Sequence, residues 1–159
     1  FVYTFMNIGA FVVVMLAKKE DGKERTLIEE FSGLGLNRPG LAFSMTVFMI
    51  ALAGIPPTGG FVAKFYIFSA AIKSDFVWLA IIAVLNSVVS VFYYLRIIVV
   101  MYMSDSSEDV KKEPFRFVWG SRLSYAVLAL VICVIGTLGL GVFPSFFVEF
   151  AMNSNISLN

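Results

Sequence analysis

Almost all the charged residues of this chain lie in a few short segments, and the tracts between them are apolar. The charged segments are 18–38, 73–75 and 105–122. Hydrophobic residues make up 59% of the 159 residues, charged residues make up 14%, and the mean hydropathy is +0.88. Soluble globular domains carry more charge and fewer apolar residues. The pattern therefore predicts a membrane protein whose apolar tracts cross a bilayer.

Four apolar passages are predicted within a single membrane domain, 1–159, at about 1–17, 40–73, 76–103 and 122–151. One span needs about 20 residues at a rise of about 1.5 Å per residue. The second passage is too long for one straight helix and too short for two separate spans. We therefore expect an all-α fold, a polytopic membrane helix bundle of four transmembrane passages with one discontinuous helix.

Basic residues in the connecting segments predict the orientation of these passages. Lysine and arginine are concentrated in 18–38 and in 104–122. Basic loops remain on the cytoplasmic side, and both segments lie there if 40–73 crosses the membrane once. The carboxyl terminus then lies on the outer side. Because the chain starts inside an apolar tract without an initiator methionine, we interpret it as a fragment, so the absence of a signal peptide has no meaning.

The sequence GIPPTGGFVAKF, residues 54–65, interrupts the second passage. Proline has no amide hydrogen and clashes with the preceding turn, so Pro56 and Pro57 should free carbonyl groups near residues 52 and 53. The first half-helix is expected to end near Gly54. The discontinuous helix is therefore predicted to break between Gly54 and Gly60.

The residues after the prolines are expected to restart the helix. Gly59 and Gly60 would allow the backbone turn that is needed, and Thr58 would cap the second half-helix. Unpaired backbone groups at membrane depth are tolerated only against protein or water. The break therefore predicts a polar, hydrated cavity near the middle of the bilayer.

Lys64 lies about one turn into the second half-helix and is the candidate proton relay. About nine residues, or some 13 Å, separate it from Lys73 at the membrane surface. A charge at the bilayer centre costs at least about 2.5–3.5 kcal/mol. Burial and the positive start of a helix disfavour the ammonium, whereas water or a carboxylate favours it, so the group can exchange a proton near neutral pH. Lys64 shares a helix face with Gly60, Phe68 and Ala71, whose small members would leave room for water.

Lys64 and the other polar residues of the spans each allow a structural interpretation as well. Lys64 could instead lock two helices by pairing with a buried carboxylate, although Glu149, near an outer end, is the only acidic residue in the four passages. Asn86, Ser87 and Ser90 are candidates for the same water path, but such residues also join helices by hydrogen bonds. Arg96 is expected to reach the lipid headgroups on the cytoplasmic side.

The residue inventory argues against catalysis or a bound cofactor in this chain. It contains no histidine and one cysteine, Cys133, which we interpret as a small core residue. It has no paired intramembrane carboxylates, no metal-ligand spacing and no phosphate-binding glycine loop. The net charge of +1 predicts no nucleic-acid partner. Lipid, water and protons are the expected surroundings.

Three strings, MNIGAF, LAGIPPTGGFVAKFYIF and FYYLRIIVVMY, resemble a known family in their order and spacing. They are similar to the antiporter-like subunits of proton-pumping NADH:quinone oxidoreductase (respiratory complex I) and to the related Mrp-type cation/proton antiporters. GIPP followed by GF is shared across this wider family. KFYIF combined with YYLR resembles the subunit N branch, and the likeness covers essentially the whole chain.

The resemblance implies a fourteen-helix subunit of which this chain carries helices eleven to fourteen, with 40–73 as the discontinuous twelfth. Lys64 would be the lysine that ends the intramembrane proton path, and the other pumping residues would lie upstream. The implied activity is proton translocation coupled to NADH oxidation and quinone reduction in other subunits. The implied partners are other membrane-arm subunits, and NADH, flavin, Fe–S clusters and quinone would be bound by partner subunits. A bacterial plasma membrane is the expected location. The alternatives are an Mrp-type antiporter subunit and a purely structural membrane segment.

Overall fold

The computed structural model describes residues 2–17, 26–104, 121–145 and 149, and these parts are helical, with no strand. The helices are α1 (Val2–Leu16), α2 (Leu34–Asn37), α3 (Pro39–Ala53), α4 (Gly59–Lys73), α5 (Val77–Met103) and α6 (Ser121–Val142), and a 3₁₀ turn, Ile28–Phe31, precedes α2. The expected all-helical fold is confirmed. Much of the two predicted basic loops, 18–25 and 105–120, lies outside the described residues, as does most of 146–151.

Two helices of the described chain are long and apolar enough to cross a membrane, as judged from length and composition. They are Val77–Met103 and, within α6, Tyr125–Val142. α1 and α3 are apolar but shorter, at 15 residues each. Trp78 and Phe92 are among many large apolar side chains of α5 that are exposed. This helix therefore presents an apolar surface of the kind that lipid or neighbouring helices cover.

α3 is the central helix, because it contacts α1, α4, α5 and α6. Its Phe48 and Ala51 are fully buried, and they share one core with Met6 of α1 and Met101 of α5. Cys133 of α6 lies in the same core. Burying a large apolar side chain stabilises a fold by about 1.5–3 kcal/mol. This packing fixes the position of the carboxyl-terminal end of α3 relative to α4 and α5.

Arg38 connects the start of α3 to the end of α1. Its Nη1 donates to the Leu16 carbonyl oxygen at 3.0 Å, and the last carbonyls of a helix have no partner within that helix. Replacing Arg38 with methionine is expected to lower the free energy of unfolding by about 1 kcal/mol, because a charged donor is lost from a partly buried site. Unfolding midpoints in detergent measure this, and Arg38→Lys is the control that keeps the charge. Identical midpoints for all three proteins would contradict the role of Arg38 as a cap.

Arg96 has a partner within the protein in addition to the lipid headgroups that the sequence predicts for it. Its Nη2 lies 3.6 Å from a carboxylate oxygen of Glu29. The 3₁₀ turn that carries Glu29 packs against α5, and the sequence pattern did not indicate this contact. Both side chains are more than half exposed, so the ion pair contributes at most about 1 kcal/mol.

Candidate functional site

α3 ends at Ala53 with a left-handed residue, Gly54, whose φ is 83°. The Gly54 N–H donates to the Ala51 carbonyl oxygen at 3.0 Å, and the Ile55 N–H donates to the Ile50 carbonyl oxygen at 3.1 Å. This is the hydrogen-bonding pattern of a glycine-terminated helix. The chain turns away from the axis of α3 at this point, and α4 begins at Gly59.

The last two residues of α3 keep carbonyl groups that no backbone amide can pair in the usual way. In a continuous helix, Leu52 and Ala53 would accept from the amides four residues later. Those positions are Pro56 and Pro57, which have no amide hydrogen. The Lys64 Nζ donates to both carbonyl oxygens, at 3.0 Å each. The lysine therefore satisfies the two acceptors that the proline pair leaves free.

The third hydrogen bond of the Lys64 ammonium connects α4 to α5. The Nζ donates to the Ser87 Oγ at 2.7 Å, which is the short distance typical of a charged donor. An ammonium has three N–H donors, and each has one acceptor here. Since the carbonyl acceptors belong to α3, this one side chain joins α3, α4 and α5.

The electrostatic surroundings of Lys64 differ from the sequence-based expectation. That expectation placed the ammonium near the positive start of α4. The side chain instead reaches the carboxyl-terminal end of α3, where the helix dipole is negative and favours a cation. Its three described partners are neutral groups, and none is a carboxylate. The residue is partly buried, and it is held in place by hydrogen bonds.

Gly59 and Gly60 have a different role from the turn that the sequence suggested. They are the first two residues of α4, and neither is among the described glycines with positive φ. Gly60 is buried against α3, where an added Cβ would overlap the carbonyl oxygen of Ala51. The absence of a side chain at Gly60 therefore allows the backbones of α3 and α4 to approach closely. The expected room for water is absent at Gly60, because the α3 backbone occupies that space.

Thr58 occupies the N-cap position of α4, in extended conformation with φ −108° and ψ 155°. Its carbonyl oxygen accepts from the Phe61 N–H at 3.1 Å. Its hydroxyl, however, donates to the Ile55 carbonyl oxygen at 2.7 Å and makes no capping bond to α4. Thr58 is therefore the N-cap residue, as expected, but its side chain makes no capping bond because its hydroxyl donates to a carbonyl within the break.

One of the three candidate water-path residues on α5 lies at Lys64. Successive helical residues differ by about 100° around the axis, so neighbours in sequence face different sides. Ser87 meets the ammonium, whereas the Asn86 side chain is exposed. The Ser90 hydroxyl donates to the Asn86 carbonyl oxygen of its own helix at 2.9 Å. The described structure therefore brings Ser87 to Lys64 and does not bring Asn86 or Ser90 there.

Thr137 of α6 is a polar residue that the sequence analysis missed. It is fully buried, and its Oγ1 has no hydrogen-bond partner among the described residues. The Thr137 carbonyl oxygen lies beside Gly59, at the start of α4. The available signal was a single hydroxyl in the apolar sequence VICVIGTLGLGV, residues 131–142.

The helical fold and the interrupted region agree with one class of membrane protein. The sequence profile of the family described as NADH:quinone oxidoreductase/Mrp antiporter, TM matches residues 1–90. The chain belongs to this family. Two solved structures share its fold, at identities of 24% and 23%. Respiratory complex I from Thermus thermophilus with bound aureothin gives a TM-score of 0.65, over 91% of this chain and 32% of that chain. The Mrp complex from Dietzia sp. DQ12-45-1b gives a TM-score of 0.70, over 93% of this chain and 34% of that chain.

Curated relatives confirm the resemblance to the subunit N branch. NADH-quinone oxidoreductase subunit N of Trichlorobacter lovleyi is 47% identical over 96% of this chain and 30% of its own length. NADH-quinone oxidoreductase subunit N 1 of Solibacter usitatus is 42% identical over 98% of this chain and 31% of its own length. F(420)H(2) dehydrogenase subunit N of Methanosarcina mazei is 40% identical over 98% and 32%. The chain spans about a third of the length of these relatives.

Proposed function

We propose that this chain is part of a proton-translocating membrane subunit of an NADH:quinone oxidoreductase, and that Lys64 is its proton relay. The observation that carries the proposal is the ammonium of Lys64, which is hydrogen-bonded to the carbonyls of Leu52 and Ala53 that the proline pair leaves free. The family supports a role in proton movement, because its description joins NADH:quinone oxidoreductases with Mrp antiporters. In the proposed mechanism, changes in neighbouring subunits alter the proton affinity of Lys64. It then exchanges its proton with an outward, hydrated half-channel.

The proposed topology makes α3 and α4 a single interrupted crossing. Each has 15 residues, or about 22 Å at 1.5 Å per residue, which is shorter than a bilayer core of about 30 Å. α1, α5 and α6 are the other three passages. The segments 18–38 and 104–122 are then cytoplasmic, the carboxyl terminus is on the outer side, and the membrane is a bacterial plasma membrane.

We assign the electron-transfer chemistry to other subunits of the complex. One relative is named as a subunit of an NADH-quinone oxidoreductase and another as a subunit of an F(420)H(2) dehydrogenase. Those names differ in the electron donor, yet both relatives share about two fifths or more of the residues aligned with this chain. A part that is common to complexes with different donors does not need to bind either donor. NADH, flavin, Fe–S clusters and quinone are therefore proposed for partner subunits, with no cofactor in this chain.

The main alternative is an Mrp-type cation/proton antiporter subunit. The Dietzia sp. Mrp structure shares the fold, so the fold is compatible with either function. Sequence identities of 40–47% to proteins named as subunit N favour the oxidoreductase. The two functions differ in their driving force: proton movement would follow NADH oxidation in one and a cation gradient in the other. A purely structural segment is the second alternative, since Lys64 also joins three helices.

Replacement of Lys64 with alanine in the full-length protein, within its assembled complex, tests the proposal. In sealed vesicles that contain the complex, we expect normal assembly and a marked loss of protons moved per electron. Lys73→Ala is the matched control, because Lys73 is an exposed lysine at the end of the same helix. Unchanged proton transfer in an assembled Lys64→Ala complex would exclude the relay. Proton movement that requires a sodium gradient and not NADH would support the antiporter instead.

A further inference from the structure

We propose that Ser87 is the group through which Lys64 loses and regains its proton, an inference that rests on the relay function proposed above. The Ser87 Oγ is one of three acceptors around the ammonium, and it differs chemically from the other two. A carbonyl oxygen can accept a hydrogen bond but can never donate one, whereas a hydroxyl can do both. This difference determines the direction in which the proton leaves.

A neutral lysine amine has two N–H donors and one lone pair. If the lone pair faced the Leu52 or Ala53 carbonyl oxygen, two electron-rich atoms would meet at the 3.0 Å now spanned by a hydrogen bond. If the lone pair faces Ser87, the hydroxyl turns and donates to it, and both carbonyls keep their N–H donors. All three contacts then survive deprotonation. The proton that leaves is therefore the one that lies between Nζ and Oγ.

The Ser87 hydroxyl hydrogen is available for the second half of such a transfer. Three helical hydroxyls of the described chain, those of Ser44, Thr46 and Ser90, donate to a carbonyl four residues earlier in their own helix at 2.8–2.9 Å. Ser87 makes no such bond in the described structure, where its one hydrogen bond is the bond it accepts from Lys64. Ser87 is also partly exposed, so its hydroxyl hydrogen can point to a water molecule.

The transfer balances without any reactant other than water. The Nζ–H bond breaks as a new O–H bond forms at the Ser87 Oγ, and the original hydroxyl proton passes to a water molecule. The products are a neutral amine, an unchanged serine and one protonated water. The new O–H then donates to the amine lone pair, and reprotonation reverses these steps. Ser87 therefore acts as a hydroxyl relay between Lys64 and the water path.

Three substitutions of Ser87 in the full-length protein, within its assembled complex, test the relay. Ser87→Ala and Ser87→Val remove the hydroxyl, and Ser87→Thr keeps it in almost the shape of valine. We expect proton translocation by vesicles to fall by about 100-fold or more with alanine and valine, and to stay close to the rate of the unchanged protein with threonine. The solvent hydrogen isotope effect should increase in the two slow variants, because proton exchange becomes rate-limiting. Ser44→Ala is the control, because in the described structure the Ser44 hydroxyl bonds only the Gly40 carbonyl of its own helix, and the translocation rate of this variant should not change.

The outcomes separate the relay from the function on which it rests. Normal rates in Ser87→Ala and Ser87→Val, together with an inactive Lys64→Ala complex, would overturn the role of Ser87 and leave that of Lys64 intact. Normal rates in Ser87→Ala, Ser87→Val and Lys64→Ala would overturn the roles of both Ser87 and Lys64. Threonine as slow as valine would also reject the relay, because the hydroxyl would then make no difference.

Discussion

Replacing Gly60 with alanine is expected to prevent the full-length protein from accumulating in the membrane. The added Cβ would overlap the carbonyl oxygen of Ala51 and would lie 2.7 Å from its carbonyl carbon. Both are backbone atoms inside α3, so no flexible side chain can move to make space. The start of α4 would have to move away from α3.

The expected loss of stability has two parts. Overpacking of a well-packed contact typically costs about 1–3 kcal/mol. A displaced α4 would also pull the Lys64 ammonium away from the two α3 carbonyls, and hydrogen bonds to charged groups contribute about 1.5–3 kcal/mol each. Together these terms are a large fraction of the total stability of a typical domain, about 5–15 kcal/mol. Membrane levels of the protein, measured by immunoblotting, and its thermal midpoint in detergent would show the effect.

Gly139→Ala is the matched control for this substitution. Gly139 lies within α6, and a Cβ built on it meets no atom within 4 Å. Alanine also favours a helix over glycine by about 1 kcal/mol. We therefore expect this variant to accumulate normally. Equal levels of Gly60→Ala and Gly139→Ala would contradict the close approach of α3 and α4.

The sequence predicted the free carbonyl groups at the break, but it did not predict that Lys64 would be their hydrogen-bond donor. Proline chemistry identified the free carbonyls near residues 52 and 53, because the missing N–H is a local property of Pro56 and Pro57. Lys64 can donate to both carbonyl oxygens only because the start of α4 packs against α3 at this point. Gly60 determines that packing through a contact with Ala51, nine positions earlier in the sequence.

The rotation of α5 could not be predicted for a similar reason. Asn86, Ser87 and Ser90 were equivalent candidates, since all are polar residues in one apolar helix. Which of them faces Lys64 is set by contacts of α5 with α3 and α4, and an apolar helix has no polar face that would indicate its rotation. The pairing of Arg96 with Glu29 likewise depends on how a connecting segment folds back over α5.

Replacing Gly54 with alanine is expected to disturb the site in two ways that can be measured separately. Gly54 has a φ of 83°, and a residue with a Cβ loses roughly 1–2 kcal/mol in this left-handed conformation. The same Cβ would lie 2.9 Å from the Cδ and 3.2 Å from the Nζ of Lys64. The lysine would have to shift and would weaken its three hydrogen bonds. The variant should therefore be less stable and should also translocate protons more slowly.

A double-mutant cycle with Lys64→Ala separates backbone strain from the collision with the lysine. In the Lys64→Ala background, Gly54→Ala should keep its strain and lose the collision, so its effect on the free energy of unfolding should be smaller by about 1 kcal/mol or more. Unfolding of the full-length protein in mixed detergent micelles would supply the four values. Equal losses in the two backgrounds would mean that Gly54 and Lys64 do not interact. The lysine would then not be held against the carboxyl-terminal end of α3, and the geometry that supports its role in proton transfer would be wrong.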